Sequence, residues 1–133
     1  MKVQISRSLL EQIMSLAAVD CDEVCGLLLG RPGRIEEIRP AANVAPNPER
    51  HFELDPATLL MSHKAARSGG PAILGHYHSH PSGLPEPSAT DAANAAPDGS
   101  LWLIVGGGEA RLWIAAPDES GSVRFTGGML DIM

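Results

Sequence analysis

The feature that most constrains the fold is an apolar run that becomes polar and then stops at a proline. Residues 72–80 read Ala-Ile-Leu-Gly-His-Tyr-His-Ser-His, and Pro81 follows at once. This pattern predicts a buried strand whose last residues lie near the end of a sheet. Because side chains alternate faces along a strand, His76, His78 and His80 point to the same side. The sequence therefore predicts a row of imidazoles at a sheet end.

Two imidazoles separated by one strand residue form a natural chelate for zinc. Spacing alone leaves open whether the pair is His76 with His78 or His78 with His80. A catalytic zinc also needs a third protein ligand and an exchangeable position for water. Asp91 follows across a proline-rich loop, in the first turn of a predicted helix, where the helix dipole favours a carboxylate. We therefore expect Asp91 to be the third ligand.

Hydrolysis at such a metal needs a proton acceptor and a donor to the developing oxyanion. Ser88 precedes Asp91 by three residues and offers a hydroxyl. Glu23 stands at the start of an apolar run, where a buried carboxylate requires a partner. Taken singly, Ser88 and Asp91 fit an ordinary helix cap and Glu23 fits a solvent-facing strand start. Their combination with the histidines favours an active site.

The remaining patterns predict one domain spanning residues 1–133, a mixed α/β (α+β) fold with one sheet flanked by helices. A capping-box pattern at Ser8 to Glu11 predicts the start of the first helix. The predicted helices cover residues 9–18, 56 to about 68, and 88–96. The predicted strands cover residues 2–6, 23–30, 34–39, 51–54, 72–80, 101–105, 110–114 and 123–126.

Composition limits the partners. The formal net charge is −6 and the sequence holds no run of basic residues, which argues against nucleic acid. No apolar stretch reaches the roughly 18–20 residues that cross a bilayer, and no signal peptide is recognisable, so we expect a cytoplasmic protein that binds no membrane. The two cysteines, Cys21 and Cys25, are predicted to be free thiols, one buried and one partly exposed. Exposed apolar edges leave room for a homodimer.

The string His78-Ser79-His80-Pro81, six residues, Ser88, two residues and Asp91 resembles the JAMM signature, H-[ST]-H-P, six spacers, S-x-x-D. The JAMM family, also called MPN+ or JAB, consists of zinc metallopeptidases. Residues 23–30, EVCGLLLG, resemble its glutamate segment E-x-x-G-x-L-x-G. Residues 43–56, NVAPNPERHFELDP, resemble the family's intervening stretch. The resemblance covers nearly the whole chain and matches the compact stand-alone prokaryotic members.

This resemblance implies a cytidine-deaminase-like JAB/MPN fold with one zinc ion per chain. His78, His80 and Asp91 match the zinc ligands. Glu23 matches the general acid and base, and Ser88 matches the residue that stabilises the tetrahedral intermediate. The deaminase signature H-x-E with P-C-x-x-C is absent, which disfavours deamination. His76 stands where eukaryotic relatives often have Trp, and we expect it to support the site or line its wall.

The implied activity is hydrolysis of the amide bond after the C-terminal Gly-Gly tail of a ubiquitin-like or sulfur-carrier protein. Two alternatives stay open from the sequence. One is a non-catalytic MPN-type scaffold, which the retention of all five site residues disfavours. The other is a peptidase that acts on phage-tail or cell-wall-linked peptides.

Overall fold

The computed structural model describes all residues, 1–133, and consists of one eight-stranded sheet with three helices. The helices are α1 (Arg7–Ala18), α2 (Pro56–Arg67) and α3 (Ala89–Asn94). The strands are β1 (Lys2–Ile5), β2 (Cys25–Arg31), β3 (Arg34–Ala41), β4 (Ala72–His80), β5 (Leu101–Gly106), β6 (Glu109–Pro117), β7 (Val123–Gly127) and β8 (Met129–Ile132). The predicted mixed sheet with flanking helices is confirmed.

The strand that carries the three histidines lies in the middle of the sheet. The strand order is β7-β6-β5-β4-β2-β3-β1-β8. β4 pairs with β2 in the antiparallel direction and with β5 in the parallel direction. His78 is paired with Cys25 on one side and Ile104 on the other. Hydrogen bonding on both sides fixes the register of β4 and therefore the direction in which each histidine points.

The two faces of β4 pack against different clusters. Tyr77 faces the main core, together with Leu101, Leu103 and the buried Ile13 of α1. The opposite face carries His76 and His78 and continues into a smaller cluster around Trp102 and Ile104.

A second helix covers the histidine face of the sheet. Leu27 pairs with both His76 and Arg39, so these three side chains share that face. Arg39 Nη1 donates a hydrogen bond of 2.8 Å to Ser62 of α2. The sheet therefore lies between α1 and α2, in a three-layer arrangement.

The sheet curls until its two edge strands are joined by a single residue. β7 and β8 lie at opposite ends of the strand order, yet only Gly128 separates them in the chain. The Gly128 N–H donates to Leu112 O of β6 at 2.9 Å, and Met129 N–H donates to Met1 O at 2.8 Å. The chain thus passes from one edge of the sheet to the other through Gly128 alone.

Glycine has a clear structural reason at three positions of the sheet and its turns. A β-carbon at Gly26 would overlap the Tyr77 ring, which crosses this position from the neighbouring strand. The turn between β5 and β6 holds Gly107 and Gly108 at φ 60° and 77°, the positive values that a type I′ hairpin turn requires. The first glycine belongs to the Glu-x-x-Gly motif, so that glycine serves packing of the core.

Several predicted boundaries were wrong. The N-cap of α1 is Ser6, whose hydroxyl accepts from Leu9 N–H, and not the capping box predicted at Ser8. The third helix begins after Ser88 and ends at Asn94, earlier than predicted. β2 begins at Cys25, so Glu23 precedes the strand. The short strand β8 was not predicted, because residues 129–132 show no clear alternation.

The predicted strand over residues 51–54 does not form. This segment contributes only an isolated bridge between Leu54 and Asn43. The Asn43 side chain accepts from Glu53 N–H and donates to His51 O, at 3.1 Å and 2.9 Å. It therefore occupies backbone groups that a strand would use for pairing.

No helix in the structure is long and apolar enough to cross a lipid bilayer. Both cysteines are free; Cys21 is exposed and Cys25 is buried.

Candidate metal centre

Three side chains from two elements meet at the C-terminal end of β4. His78 and His80 lie on β4, and Asp91 lies in the first turn of α3. His78 Nε2 is 3.2 Å from His80 Nε2, and Asp91 Oδ2 is 3.2 Å from each of these two nitrogens. The three atoms form a nearly equilateral triangle, which we call the ligand triangle.

The ligand triangle fits a zinc ion in chemistry and in size. Imidazole nitrogen and carboxylate oxygen are common zinc ligands, with bond lengths of about 2.0–2.2 Å. Two ligand atoms of a tetrahedral zinc site therefore lie about 3.3 Å apart, close to the 3.2 Å edges seen here. Three protein ligands leave a fourth position open, as catalytic zinc sites do.

Glu23 approaches the ligand triangle from another part of the chain. It lies in the irregular segment between α1 and β2 and is only 5% exposed. One carboxylate oxygen lies within 4.8 Å of ring nitrogens of His78 and His80. The 3.2 Å contacts with these nitrogens are made by Asp91. Glu23 therefore stands beside the triangle, within reach of a small molecule held there.

The backbone around Glu23 is held by side chains and loop groups. Its N–H donates to Pro48 O at 2.7 Å, and its carbonyl accepts from Asn43 Nδ2 at 2.8 Å. The next residue, Val24, donates its N–H to Ser79 Oγ at 2.9 Å. Asn43 and Ser79 thus replace the strand pairing that Glu23 lacks.

The two carboxylates of the site have opposite pKa shifts. Burial raises the pKa of Glu23 to about 7; the neighbouring His80 opposes this shift and Asp91 adds to it. Burial also acts to raise the pKa of Asp91, but hydrogen bonds with His78 and His80 outweigh burial and hold that pKa well below its usual range. Asp91 is therefore ionised, as a metal ligand must be, and Glu23 can exchange a proton near neutral pH.

The imidazoles also differ in their pKa shifts. Burial lowers the pKa of His78 and lowers that of His76 to about 3. Burial opposes protonation of His80 as well, but hydrogen bonds with Asp91 and the Leu84 carbonyl raise its pKa overall. The two deeper histidines are thus neutral, which is the form that binds metal.

Aromatic rings surround His78. The Phe52 ring stacks on it with centroids 4.3 Å apart and planes 20° apart. His76 Nε2 lies 3.2 Å from His78 Nδ1, and Trp102 packs edge-on against His76 at 4.3 Å between centroids. This enclosure leaves His78 fully buried, with 0% exposure.

Ser88 caps α3 and lines the same cleft as Glu23 and His80, an open cavity of about 400 Å³. Its hydroxyl accepts from Asp91 N–H at 3.0 Å, and its own N–H donates to Asp91 Oδ2 at 2.9 Å. Since the hydroxyl oxygen accepts this bond, its hydrogen stays free to donate. The capping box therefore orients Asp91 and Ser88 together.

Residues 6–119 match the family described as prokaryotic homologs of the JAB domain. The chain belongs to this family. It is 40% identical over 84 residues to a desampylase of Haloferax volcanii, covering 62% of the chain and 60% of that relative. It is 32% identical over 111 residues to a desampylase of Pyrococcus furiosus, covering 83% of the chain and 79% of that relative.

The fold of this prokaryotic JAB protein resembles a solved JAB1/MPN domain protein from Archaeoglobus fulgidus. The TM-score is 0.61 at 22% identity, and the match covers 99% of this chain and 98% of that one. This likeness confirms the JAB/MPN fold, and the family match over residues 6–119 confirms the membership of the JAMM family expected from the sequence.

All five predicted site residues line one region, but their supports were not predicted. His78, His80 and Asp91 form the ligand triangle, and Glu23 and Ser88 border it. Asn43 belongs to a stretch whose resemblance to the family was recognised, yet nothing in its sequence position indicated a bond to Glu23. Ser79 stands between the two histidines and faces away from them, toward Val24.

Proposed function

We propose that the protein is a zinc-dependent hydrolase of the JAMM type, with one zinc ion per chain. The ligand triangle carries this proposal, because its three donor atoms have the spacing of a tetrahedral zinc site with an open position. His78, His80 and Asp91 would hold the ion. When bound, zinc would act as a Lewis acid, lowering the pKa of water and polarising the scissile carbonyl.

Glu23 is the proton carrier of the reaction. Its carboxylate takes a proton from the attacking water as the water oxygen bonds to the carbonyl carbon. It then gives this proton to the leaving nitrogen as the carbon–nitrogen bond breaks, so the carboxylate ends the cycle unchanged. A pKa raised by burial to about 7 suits both steps.

Ser88 stabilises the negative charge that develops on the carbonyl oxygen. Its hydroxyl hydrogen is free to donate, because its oxygen already accepts the Asp91 N–H. Ser88 is exposed in the same cleft as Glu23. A substrate carbonyl in this cleft would therefore meet a proton carrier and a hydrogen-bond donor.

The substrate we propose is the C-terminal Gly-Gly tail of a ubiquitin-like or sulfur-carrier protein, cleaved from the amine to which it is joined. Two of the relatives are named desampylases. A groove of about 340 Å³ borders His80 on the side of α1 and is lined by Ala17, Ala18 and residues 106–108, all glycine. Met14, Asp20 and Val105 also line this groove, but its alanines and glycines leave room for an extended tail, and a tail of glycines brings no side chains of its own.

A fluorogenic amide tests this function. A ubiquitin-like protein whose C-terminal Gly-Gly is joined to a fluorescent amine should release the amine when mixed with the zinc-loaded protein. Glu23→Gln loaded with zinc should release almost none. A zinc-loaded wild type that cleaves neither this substrate nor an isopeptide-linked version would contradict the proposed substrate. Cleavage of a cell-wall peptide instead, or of nothing, would favour the alternative peptidase or the scaffold.

A further inference from the structure

His78 is buried on every side, so each of its ring nitrogens must find a partner within the protein. Nε2 points into the ligand triangle, toward His80 and Asp91. Nδ1 contacts one hydrogen-bonding atom, His76 Nε2, at 3.2 Å. Only one of these two contacting nitrogens can carry a proton, so the protonation of His76 is coupled to that of His78.

The two rings have the geometry of a real hydrogen bond. Their planes are 21° apart and their centroids are 5.3 Å apart. The two nearest nitrogens are 3.2 Å apart, within hydrogen-bonding distance, so an N–H on one ring can donate to the lone pair of the other.

Metal binding requires one particular arrangement of protons. To present a lone pair to zinc, His78 Nε2 must be unprotonated, so the single proton of the neutral ring lies on Nδ1. That N–H needs an acceptor, and His76 Nε2 is the atom within reach. His76 must then carry its own proton on Nδ1.

Before metal binds, the opposite arrangement satisfies both ring nitrogens of His78. His78 Nε2–H donates to Asp91 Oδ2, and His78 Nδ1 accepts from His76 Nε2–H. A neutral imidazole can play either part, whereas a carbonyl only accepts and an indole only donates. His80 differs, because its Nδ1 contacts the Leu84 carbonyl at 2.8 Å, which holds it in one tautomer.

We propose that His76 is a positioning residue of the metal centre. In the metal-loaded protein, His76 Nε2 accepts a hydrogen bond from His78 Nδ1–H. In the metal-free protein, His76 Nε2–H donates a hydrogen bond to His78 Nδ1. This inference rests on the proposed zinc site but not on the proposed substrate. Partners that orient a metal-bound histidine change metal affinity by about 10–100-fold when removed.

Two substitutions separate the hydrogen bond from packing. His76→Phe keeps a ring against Trp102 and removes the acceptor, and we expect zinc affinity, measured by chelator competition, to fall by about 10–100-fold. His76→Gln keeps an amide that can accept or donate and should restore most of the affinity. Phe52→Leu removes the ring stacked on His78 without touching the hydrogen bond, and should change the affinity far less.

The decisive readout is the protonation of the ring nitrogens, from long-range ¹H–¹⁵N NMR spectra of histidine-labelled protein. Zinc-loaded wild type should show protons on Nδ1 of both His76 and His78, and zinc removal should move both to Nε2. A proton on His76 Nε2 in the loaded protein, or wild-type affinity in folded His76→Phe, would overturn this role and leave the proposed hydrolase intact. A wild type that binds no zinc would overturn both.

Discussion

The ligand triangle and Glu23 share one cleft but are held by different kinds of structure. His78 and His80 lie on the central strand β4, which is hydrogen-bonded on both sides, and Asp91 lies in a capped helical turn. Glu23 lies outside any strand or helix and is fixed by Asn43 and a loop carbonyl. The proposed metal position thus depends on regular elements, and the proposed proton carrier depends on a few side-chain bonds.

Because of this difference, metal binding and proton transfer can be lost independently. Substitutions in the triangle should remove the metal and with it all activity. Substitutions around Glu23 should leave the metal in place and slow the chemical step, because a misplacement of about 1 Å costs up to about 10²-fold in rate.

Asp91→Ala should have the largest effect, with zinc lost and hydrolysis undetectable. The substitution removes an anionic ligand and leaves two neighbouring imidazoles without their shared acceptor. Zinc retention in a chelator competition and hydrolysis of the fluorogenic amide are the measurements. Asp55→Ala is the matched control, because Asp55 caps α2 and its loss should cost stability alone. Equal zinc retention in the two variants would contradict the ligand role.

Glu23→Gln should lower kcat by about 10²–10⁴-fold, the usual contribution of a general acid–base group. Zinc content should stay at the wild-type level, since the amide keeps the shape of the side chain and the triangle is untouched. Steady-state kinetics on the zinc-loaded proteins provide the test. Activity within threefold of wild type would mean that another group moves the proton.

Ser88→Ala should lower kcat by about 10²-fold through loss of a donor to the oxyanion. It should also destabilise the protein by about 1 kcal/mol, because Ser88 is the N-cap of α3. Ser6→Ala removes the N-cap of α1 and should cost similar stability without loss of activity. If both variants keep wild-type kcat, Ser88 is a helix cap and nothing more.

Asn43→Asp should lower kcat by about 10-fold while zinc affinity stays unchanged. The carboxylate keeps the acceptor for Ala45 and Glu53 but loses the donor to the Glu23 carbonyl. Asn47→Asp introduces the same charge at an exposed position in the same loop and serves as the control. A change in zinc affinity with kcat preserved would contradict the separation between the two regions.

The smallest effect concerns stability and pH. Burial raises the pKa of Glu23 from 4.5 to about 7, so the native metal-free protein binds a proton that the unfolded chain has released. The stability linked to this proton is present below pH 4.5 and is lost as pH rises through 7. Glu23→Gln should therefore raise the midpoint of thermal unfolding by a few degrees at pH 8 and hardly at pH 4.5. Glu11→Gln, on the exposed face of α1, should show no such pH dependence.

The same difference between regular elements and side-chain bonds determines which parts of the site could be predicted from the sequence. The alternation of residues 72–80 correctly placed His76, His78 and His80 on one face, because strand periodicity is a local property. The position of Glu23 before β2 could not be predicted, because it depends on hydrogen bonds from the Asn43 side chain. These bonds reach backbone groups up to 20 residues away in the chain. Those bonds also prevented the predicted strand at residues 51–54.

Pairing between distant parts of the chain set the other limit on prediction from the sequence. The strand β8 forms because the curled sheet brings residues 129–132 beside β1, a pairing between the two ends of the chain. Its sequence alone has too weak a pattern to predict it. Likewise, the need for glycine at position 26 becomes apparent only when β2 and β4 are paired, because the Tyr77 ring then fills the space of a side chain. Motifs and local periodicity thus predicted which side chains come together in the cleft, and long-range contacts determined how those side chains are supported.

In the proposed enzyme, His78, His80 and Asp91 hold one zinc ion and Glu23 stands beside it as a base. Zinc content of the wild type, His78→Ala and Glu23→Gln, measured side by side after loading and dialysis, tests it most directly. We predict about one zinc per chain in the wild type and in Glu23→Gln, and almost none in His78→Ala. Loss of zinc from Glu23→Gln, or its retention in His78→Ala, would contradict the account.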